Sequence, residues 1–474
     1  MERETYIRRA LTDHLLNATN YKQLTYAEAN EAVSTTRGLL KWFTLQYNSL
    51  LTPQERQYLI KSMTVDNPHS EFYILAKVHK TPWGTRPIVS TCGSLLEGLG
   101  RWTDLYLQPL CKALPCYIRD SSDFVLQLRS LPVLPPTAKL FTADAIGCYP
   151  NINTDHALSV LPQILPDTSR GRALLSALRI IMTCNTFKFG DTFWLQTCGT
   201  AMGSVPAPPY AMLYYGVNER KLLDKYKDYL LFYRRFIDDV FGIWNFTDDT
   251  SYAMWISFQQ DLSFGTLHWT VNEPDLRCTF LDVIVSLSNG TISTTIHEKD
   301  LNLHLYLPPS SCHPPGVLKG LIYGSFHRIL RLTSKRPAQL ACIRKLSRHL
   351  LCRGYDRKTL VSLFHAAHNH YLSNPPSLEP TDKPNSIPED AVLLHLPFHP
   401  RDLSSKHIQC YFRDLILAPA GETALPDIRN LNLVPCNIQR LIVAYHRPVN
   451  LRNLLFTRCL KDVPGLEVST LLES

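Results

Sequence analysis

The sequence predicts an α+β chain with mainly antiparallel sheet, followed by a basic all-helical segment. Three observations carry that expectation. Strand and helix patterns mix between 137 and 300, with a strong hairpin turn at Asn289-Gly290. Three helical stretches succeed one another between 314 and 372. Seven prolines fall between 375 and 400, a composition that removes donors, fixes φ and marks an extended linker. The 474 residues, 45% hydrophobic and 19% charged, suffice for a large core and argue against a disordered chain. At about 150 residues per domain, the length suggests about three folding units.

Each element has a local reason. Residues 1–70 read as a helical extension, with a capping box and a proline at the first helical position in Thr52-Pro53-Gln54-Glu55. Phe72-Tyr73-Ile74-Leu75 and Leu140-Phe141-Thr142-Ala143-Asp144 read as strands. Helices are expected near 154–165 and 171–183, one strand over 187–195, and a long helix from about Pro208 to Lys225. Residues 229–244 are apolar on both sides of Asp238-Asp239, as in a hairpin with the acids at its tip. Trp255, Phe258 and Leu262 follow helical spacing, whereas Leu267, Trp269 and Val271 alternate as in a strand. Segments 279–287 and 291–296 flank the Asn289-Gly290 turn. In the second of the three later helices, Leu340, Ile343, Leu346 and Leu350 form an apolar stripe with Arg344, Lys345 and Arg348 off it. Gly354 suits its C-cap and Asp356 the next N-cap, so helix, Gly turn and basic helix resemble a helix-turn-helix. The expected division is 1–70, 71–300, 301–374, a linker over 375–400 and a small module over 401–474.

The net charge of +8 is unevenly spread. Residues 301–375 hold eleven Lys and Arg against one acid, Asp356, a surplus of +10, so the remainder is slightly acidic. A localised basic surface is the footprint of a nucleic-acid binder. No apolar run reaches the roughly 18 residues that span a bilayer, so no membrane partner is expected. The start, Met1-Glu2-Arg3-Glu4-Thr5, has no signal-peptide core. Thirteen scattered cysteines without a C-x-x-C pair read as reduced thiols, which points to a nuclear or cytoplasmic protein. Cys312-His313 and the trio His365, His368 and His370 read as loop and solvated helix end rather than zinc ligands.

Three constellations carry chemistry. Asp144, Asp238 and Asp239 are acids in apolar strand sequence, costly unless paired or bound to cations. Side by side they make an oxygen-rich Mg²⁺ site, although Asp-Asp alone is more often an ordinary turn. The loop Gln196-Thr197-Cys198-Gly199-Thr200-Ala201-Met202-Gly203-Ser204 allows close backbone approach to a ligand, or is a plain strand-to-helix connection. Lys77-Val78-His79-Lys80 and Arg86-Pro87-Ile88 place cations on a strand-turn-strand, to hold a triphosphate or simply to face water.

Taken in order, these elements resemble reverse transcriptases, and more closely those of Penelope-like retroelements, over about residues 50–375. Further marks are Tyr149 with Asn151-Ile152 after Asp144, Phe236-Ile237-Asp238-Asp239, Phe280-Leu281-Asp282, Ser311-Cys312-His313-Pro314 and the Arg328/Arg331 helix. The resemblance implies a right-hand polymerase with fingers, palm and thumb. It implies Asp144 and Asp238 as main ligands of two Mg²⁺ ions, with Mn²⁺ as a substitute and Asp239 completing the acidic triad. Tyr149 matches the steric gate that excludes a ribose 2′-OH. Lys77, Lys80 and Arg86 fall in the triphosphate-contacting fingers strands, and Gln196 and Gly203 in the loop lining the nucleotide site and template. Phe280 and Leu281 resemble the primer grip. Lys319, Arg328, Arg331, Arg344, Lys345 and Arg348 fall on the thumb that binds nucleic acid. The implied partners are an RNA template, a DNA primer and dNTPs, and the implied place of action is nuclear.

Departures are mild. Ala76-Lys77 stands where the family has Pro-Lys, Phe236 where it has Tyr, and Gly203-Ser204-Val205-Pro206 where Gly-Ser-Pro is common. Many members carry a C-terminal GIY-YIG nuclease, and no such motif precedes Ser474, although 443–451 resembles the stretch before it. A truncated chain or an endonuclease-deficient branch is the expectation. The rival expectations are a domesticated or decayed, non-catalytic RNA- or DNA-binding protein, and a helix-turn-helix DNA-binding module at 335–372.

Overall fold

The computed structural model describes residues 2–78, 82–299, 301–314, 316–374, 388, 390–414, 440–446 and 468–473. The chain divides into two compact units, Met1–Leu301 with Thr457–Ser474, and Asn302–Phe456. Lys80, residues 375–387 of the expected linker and much of 401–474 lie outside the described residues.

The first unit is α+β. It opens with α1 (Arg3–Ala10), a π-helical turn, β1 (Tyr21–Leu24), α2 (Tyr26–Gln46) and α3 (Pro53–Ser62). The capping box at α3 is complete: Glu55 N–H donates to the Thr52 hydroxyl, and Thr52 N–H donates to Glu55 Oε2 at 2.7 Å. Strands β2 (Ser70–Lys77) and β3 (Gly84–Ser90) form a hairpin, followed by α4 (Glu97–Lys112) and α5 (Ser121–Arg129). Next come β4 (Ala138–Ala145), α6 (Cys148–Asn151), α7 (Thr154–Val160), α8 (Ser169–Thr183), β5 (Thr186–Phe189), β6 (Thr192–Gln196) and α9 (Ala207–Lys225). The series ends with β7 (Leu230–Phe236), β8 (Asp239–Asn245), α10 (Asp249–Asp261), β9 (Trp269–Val271), β10 (Arg277–Phe280), β11 (Val283–Ser288) and β12 (Thr291–Ile296).

A five-stranded sheet runs β1-β6-β5-β2-β3, a four-stranded one β7-β8-β4-β9 and a three-stranded one β10-β11-β12. All their ladders are antiparallel except the short β2–β5 pairing. Central strands β4 and β8 are buried along most of their length, which is why they read as near-continuous apolar runs. Phe141, Trp244, Trp255 and Phe258 pack edge-on and tilted between the four-stranded sheet and α10.

Three local expectations change. The single strand expected over 187–195 is the hairpin β5–β6, because Gly190 supplies the left-handed φ of 60° that turns it. The run 279–287 breaks into β10 and β11 at Leu281, φ 51°. The N-terminal seventy residues also hold β1, a four-residue strand whose buried ends Tyr21 and Leu24 add it to β6.

In the second unit, α11 (Val317–Leu332), α12 (Arg336–Cys352) and α13 (Arg357–Ser373) form a three-helix group. Leu346 and Leu350 of the α12 stripe are buried, while Leu340 and Ile343 are half-buried. Gly354 takes φ 92° after α12, and Asp356 caps α13 by accepting from Thr359 N–H at 2.8 Å. Beyond it, β13 (Ala391–Pro397) pairs in parallel with β14 (Arg440–His446), with α14 (Ser405–Phe412) between them in sequence. Part of the expected linker is therefore a sheet strand. A last helix, α15 (Val468–Glu473), belongs to the first unit: Asp191 at the β5–β6 turn accepts from Val468 N–H at 2.8 Å. Among the described residues no helix is long and apolar enough to cross a membrane.

Candidate active site

The site is built on the central pair of the four-stranded sheet. Registration of β4 against β8 places Asp144 directly across from Asp239. Ala145 N–H donates to the Asp238 carbonyl at 2.9 Å, which ties the β7–β8 tip to the end of β4. The chain turns there at Ile237, φ 56°, a conformation a β-branched residue adopts only when its surroundings over-determine it. The three predicted acids are thus brought together. Burial pushes the Asp238 carboxyl up, and the Asp144 charge adds to this, while Arg86 and Arg235 oppose it. Asp239 is pushed up to about 6, by burial first and then by the Asp238 and Asp144 charges.

Like charges crowded in this way are what a cation relieves, and carboxylate oxygens suit a hard one such as Mg²⁺. Among the described residues no group of three or more His, Cys, Asp or Glu side chains forms a metal cage by itself.

The glycine-rich loop joins two neighbouring pieces to this centre. Gly199 N–H donates to the Ile152 carbonyl at 3.0 Å and Thr200 N–H to the Tyr149 carbonyl at 2.8 Å. Val89 N–H of β3 donates to the Met202 carbonyl at 2.8 Å. The loop is thereby stitched to the Tyr149 turn on one side and to the β2–β3 hairpin on the other. Tyr149 is half-buried, and its phenol is raised by burial and by the nearby Cys148 and Asp238. In the hairpin, Leu75 pairs with Arg86 and Lys77 with Gly84, so Lys77 and Arg86 share one face. The other face, Phe72, Ile74 and Val89, is core. Arg86 is exposed and close enough to act on Asp238.

Other predicted residues sit differently. Gln196 is only 3% exposed, and its amide is committed: it accepts from Asn185 Nδ2 at 3.0 Å and donates to the Cys198 carbonyl at 3.1 Å. It braces the loop from behind. Gly203 supplies φ 120° beside the Val89 carbonyl. Phe280 is buried against Phe124 and Phe241, and Leu281 forms the half-buried left-handed corner after it. In the second unit, Lys319, Arg328, Arg344, Lys345 and Arg348 are exposed and Arg331 is half-buried.

A buried ion pair outside the expected site residues lies behind the hairpin. Arg235 Nε and Nη2 clasp the two oxygens of Glu219 at 2.6 and 2.8 Å. The available signal was a carboxylate inside the apolar helix α9 and an arginine inside an apolar strand. The contacts of α1 likewise carry no local signal: Arg9 stacks on Trp83 at 4.1 Å, and the turn after α1 binds Thr85 through Asp13 and His14 at 2.9 and 2.7 Å.

A family model described as an animal helix-turn-helix domain matches residues 305–365. No curated protein matches the chain. Among solved structures, a telomerase from Candida albicans with a fragment of telomeric RNA is similar over 65% of this chain and 60% of its own, at 11% identity and TM-score 0.47. Apo telomerase from Candida tropicalis is similar over 73% and 66%, at 12% identity and TM-score 0.39. An RNA polymerase complex inside a double-stranded RNA virus is similar over 73% and 31%, at 12% identity and TM-score 0.40. The match to the first of these thus spans less than two thirds of that chain, and likeness at such scores carries no functional argument.

Proposed function

We propose that the chain is an RNA-directed DNA polymerase with a right-hand plan, of the Penelope-like retroelement kind, acting in the nucleus. The observation that carries the reading is the acidic centre: Asp144 opposite Asp239, with Asp238 at a strained tip and Arg86 acting on it. Asp144 and Asp238 would hold two Mg²⁺ ions, with Asp239 beside them. Bound there, the ions would lower the pKa of a primer 3′-hydroxyl and neutralise charge on the departing pyrophosphate. Arg86 and Lys77, together with Lys80, bind the triphosphate of the incoming dNTP. Tyr149 closes the space a ribose 2′-OH would need, and Phe280 with Leu281 supports the primer end. The exposed cations of α11 and α12 bind the template–primer backbone without regard to sequence.

Purified protein supplied with Mg²⁺, an RNA template, a DNA primer and dNTPs is expected to extend the primer. Asp238→Asn is expected to abolish extension, and equal extension by that variant would overturn the assignment. A second reading, a non-catalytic nucleic-acid-binding protein, is favoured by the helix-turn-helix match over 305–365. Salt-sensitive binding by a protein that extends no primer would select it.

A further inference from the structure

Arg235 stands behind the Asp238 hairpin, buried out of reach of any substrate. Two bonds hold that tip. Ala145 N–H donates to the Asp238 carbonyl at 2.9 Å, and Arg235 Nη1 donates to the Ile237 carbonyl at 3.0 Å. Without such holds, the left-handed Ile237 would relax, because a β-branched residue keeps that conformation only when its surroundings over-determine it.

Arg235 itself is immobilised. A guanidinium has five N–H donors. Here Nε and Nη2 bind Glu219 at 2.6 and 2.8 Å, Nη2 also binds the Met212 carbonyl at 2.8 Å, and Nη1 also faces Met212 Sδ at 3.0 Å. Arg235 is 0% and Glu219 1% exposed. Glu219 Oε2 further accepts from the Cys116 thiol at 2.6 Å, and Arg235 N–H donates to the Cys116 carbonyl at 2.8 Å. A buried ion pair is poor evidence for stability, because desolvating both charges offsets their attraction. Apolar residues of similar volume could pack β7 against α9 without that desolvation cost. They could not donate to the carbonyl that precedes Asp238.

We infer that Arg235, held by Glu219, is a positioning residue: it fixes the strained tip so that the Asp238 carboxylate is aimed before cation or nucleotide arrives. The inference rests on the polymerase reading of Asp238, and the test separates the two. The double variant Arg235→Met/Glu219→Leu is compared with wild type in thermal melting, amide exchange at residues 237–239, and single-nucleotide incorporation with Mg²⁺. The double variant is expected to fold and to melt only modestly below wild type, because relief of the buried charges offsets part of the cost of leaving the Met212 and Ile237 carbonyls without a donor. Its tip amides are expected to exchange about tenfold faster or more. Its incorporation rate is expected to fall about ten- to a hundredfold, as for a misplaced catalytic group. The KM for dNTP is expected to stay within about twofold.

A stable double variant with wild-type exchange and rate overturns the inference. A wild-type protein that extends no primer overturns the polymerase reading instead, and the exchange comparison then decides the clamp alone. Should the double variant fail to fold, Arg235→Lys decides by the same measurements, since one ammonium nitrogen cannot reproduce the fork in which Nε and Nη2 clasp Glu219 while Nη1 reaches the Ile237 carbonyl. Faster exchange supports the clamp, and wild-type exchange overturns it.

Discussion

A single methyl group is enough to disturb the glycine-rich loop. At Gly203, φ 120°, an added Cβ would lie 2.7 Å from the Val89 carbonyl oxygen, and at Gly199, φ 78°, one would lie 2.7 Å from backbone atoms of Pro150 and Tyr149. Backbone cannot step aside as a flexible side chain does. Gly203→Ala is therefore expected to destabilise the protein by about 2 kcal/mol or more, read as a lowered urea midpoint. The acids make the opposite prediction. Asp239 faces Asp144 across the ladder, and like charges directly opposite each other destabilise a sheet. Asp239→Asn is expected to raise the melting temperature in EDTA, and added Mg²⁺ to narrow its lead over wild type. The aspartates were legible in the sequence because acids in apolar strands need a reason. The role of Gln196 was not, since nothing local to it reveals that its amide is used up by Asn185 and the Cys198 carbonyl.

Elements pin one another through such contacts. The α1 segment contributes Ile7, Ala10, Leu11 and Leu15 to a core shared with Phe72, Phe187, Phe189 and Val468. Its polar side fastens Thr85, next to Arg86, through Asp13 and His14. Asp13→Ala, which loosens the hold on Thr85 and leaves the α1 core in place, is expected to raise the KM for dNTP more than it lowers duplex affinity, measured by steady-state extension and by filter binding. His14 adds a pH signature. Burial lowers its pKa from 6.5, Asp13 opposes, and Lys77 and Arg9 add to the lowering. The folded state thus keeps the imidazole neutral, whereas the unfolded chain takes up a proton below 6.5. The stabilisation is present above that pH and is lost as pH falls below it. Between about pH 7.5 and 5.5, His14→Gln is expected to show a shallower loss of denaturation midpoint than wild type. Hairpins and helices were largely legible, because capping boxes, Asn-Gly turns and alternation are local. The split of 187–195 was missed because Gly190-Asp191 interrupts an otherwise continuous apolar pattern by only one turn.

At the scale of the molecule, charge is divided between the two units. The helices of the second unit lie in the segment that holds the positive surplus, and their cations are mostly exposed. Replacing both Arg344 and Arg348 by Ala is expected to weaken duplex binding evenly across sequences and to lower the salt slope by about two. Binding titrations at several salt concentrations check this. By itself the sequence determined the α+β class, the three basic helices, the caps and the positions of the acids at strand ends, because each rests on spacing within a few residues. Only the tertiary structure decided which polar groups became buried partners. A charge inside apolar α9 and another inside apolar β7 each call for a partner, but nothing local to either shows that Arg235 and Glu219 are the pair sealed behind the Asp238 tip. Burial of a charge is a property of packed segments remote in sequence, and the cost of desolvation appears only once they meet.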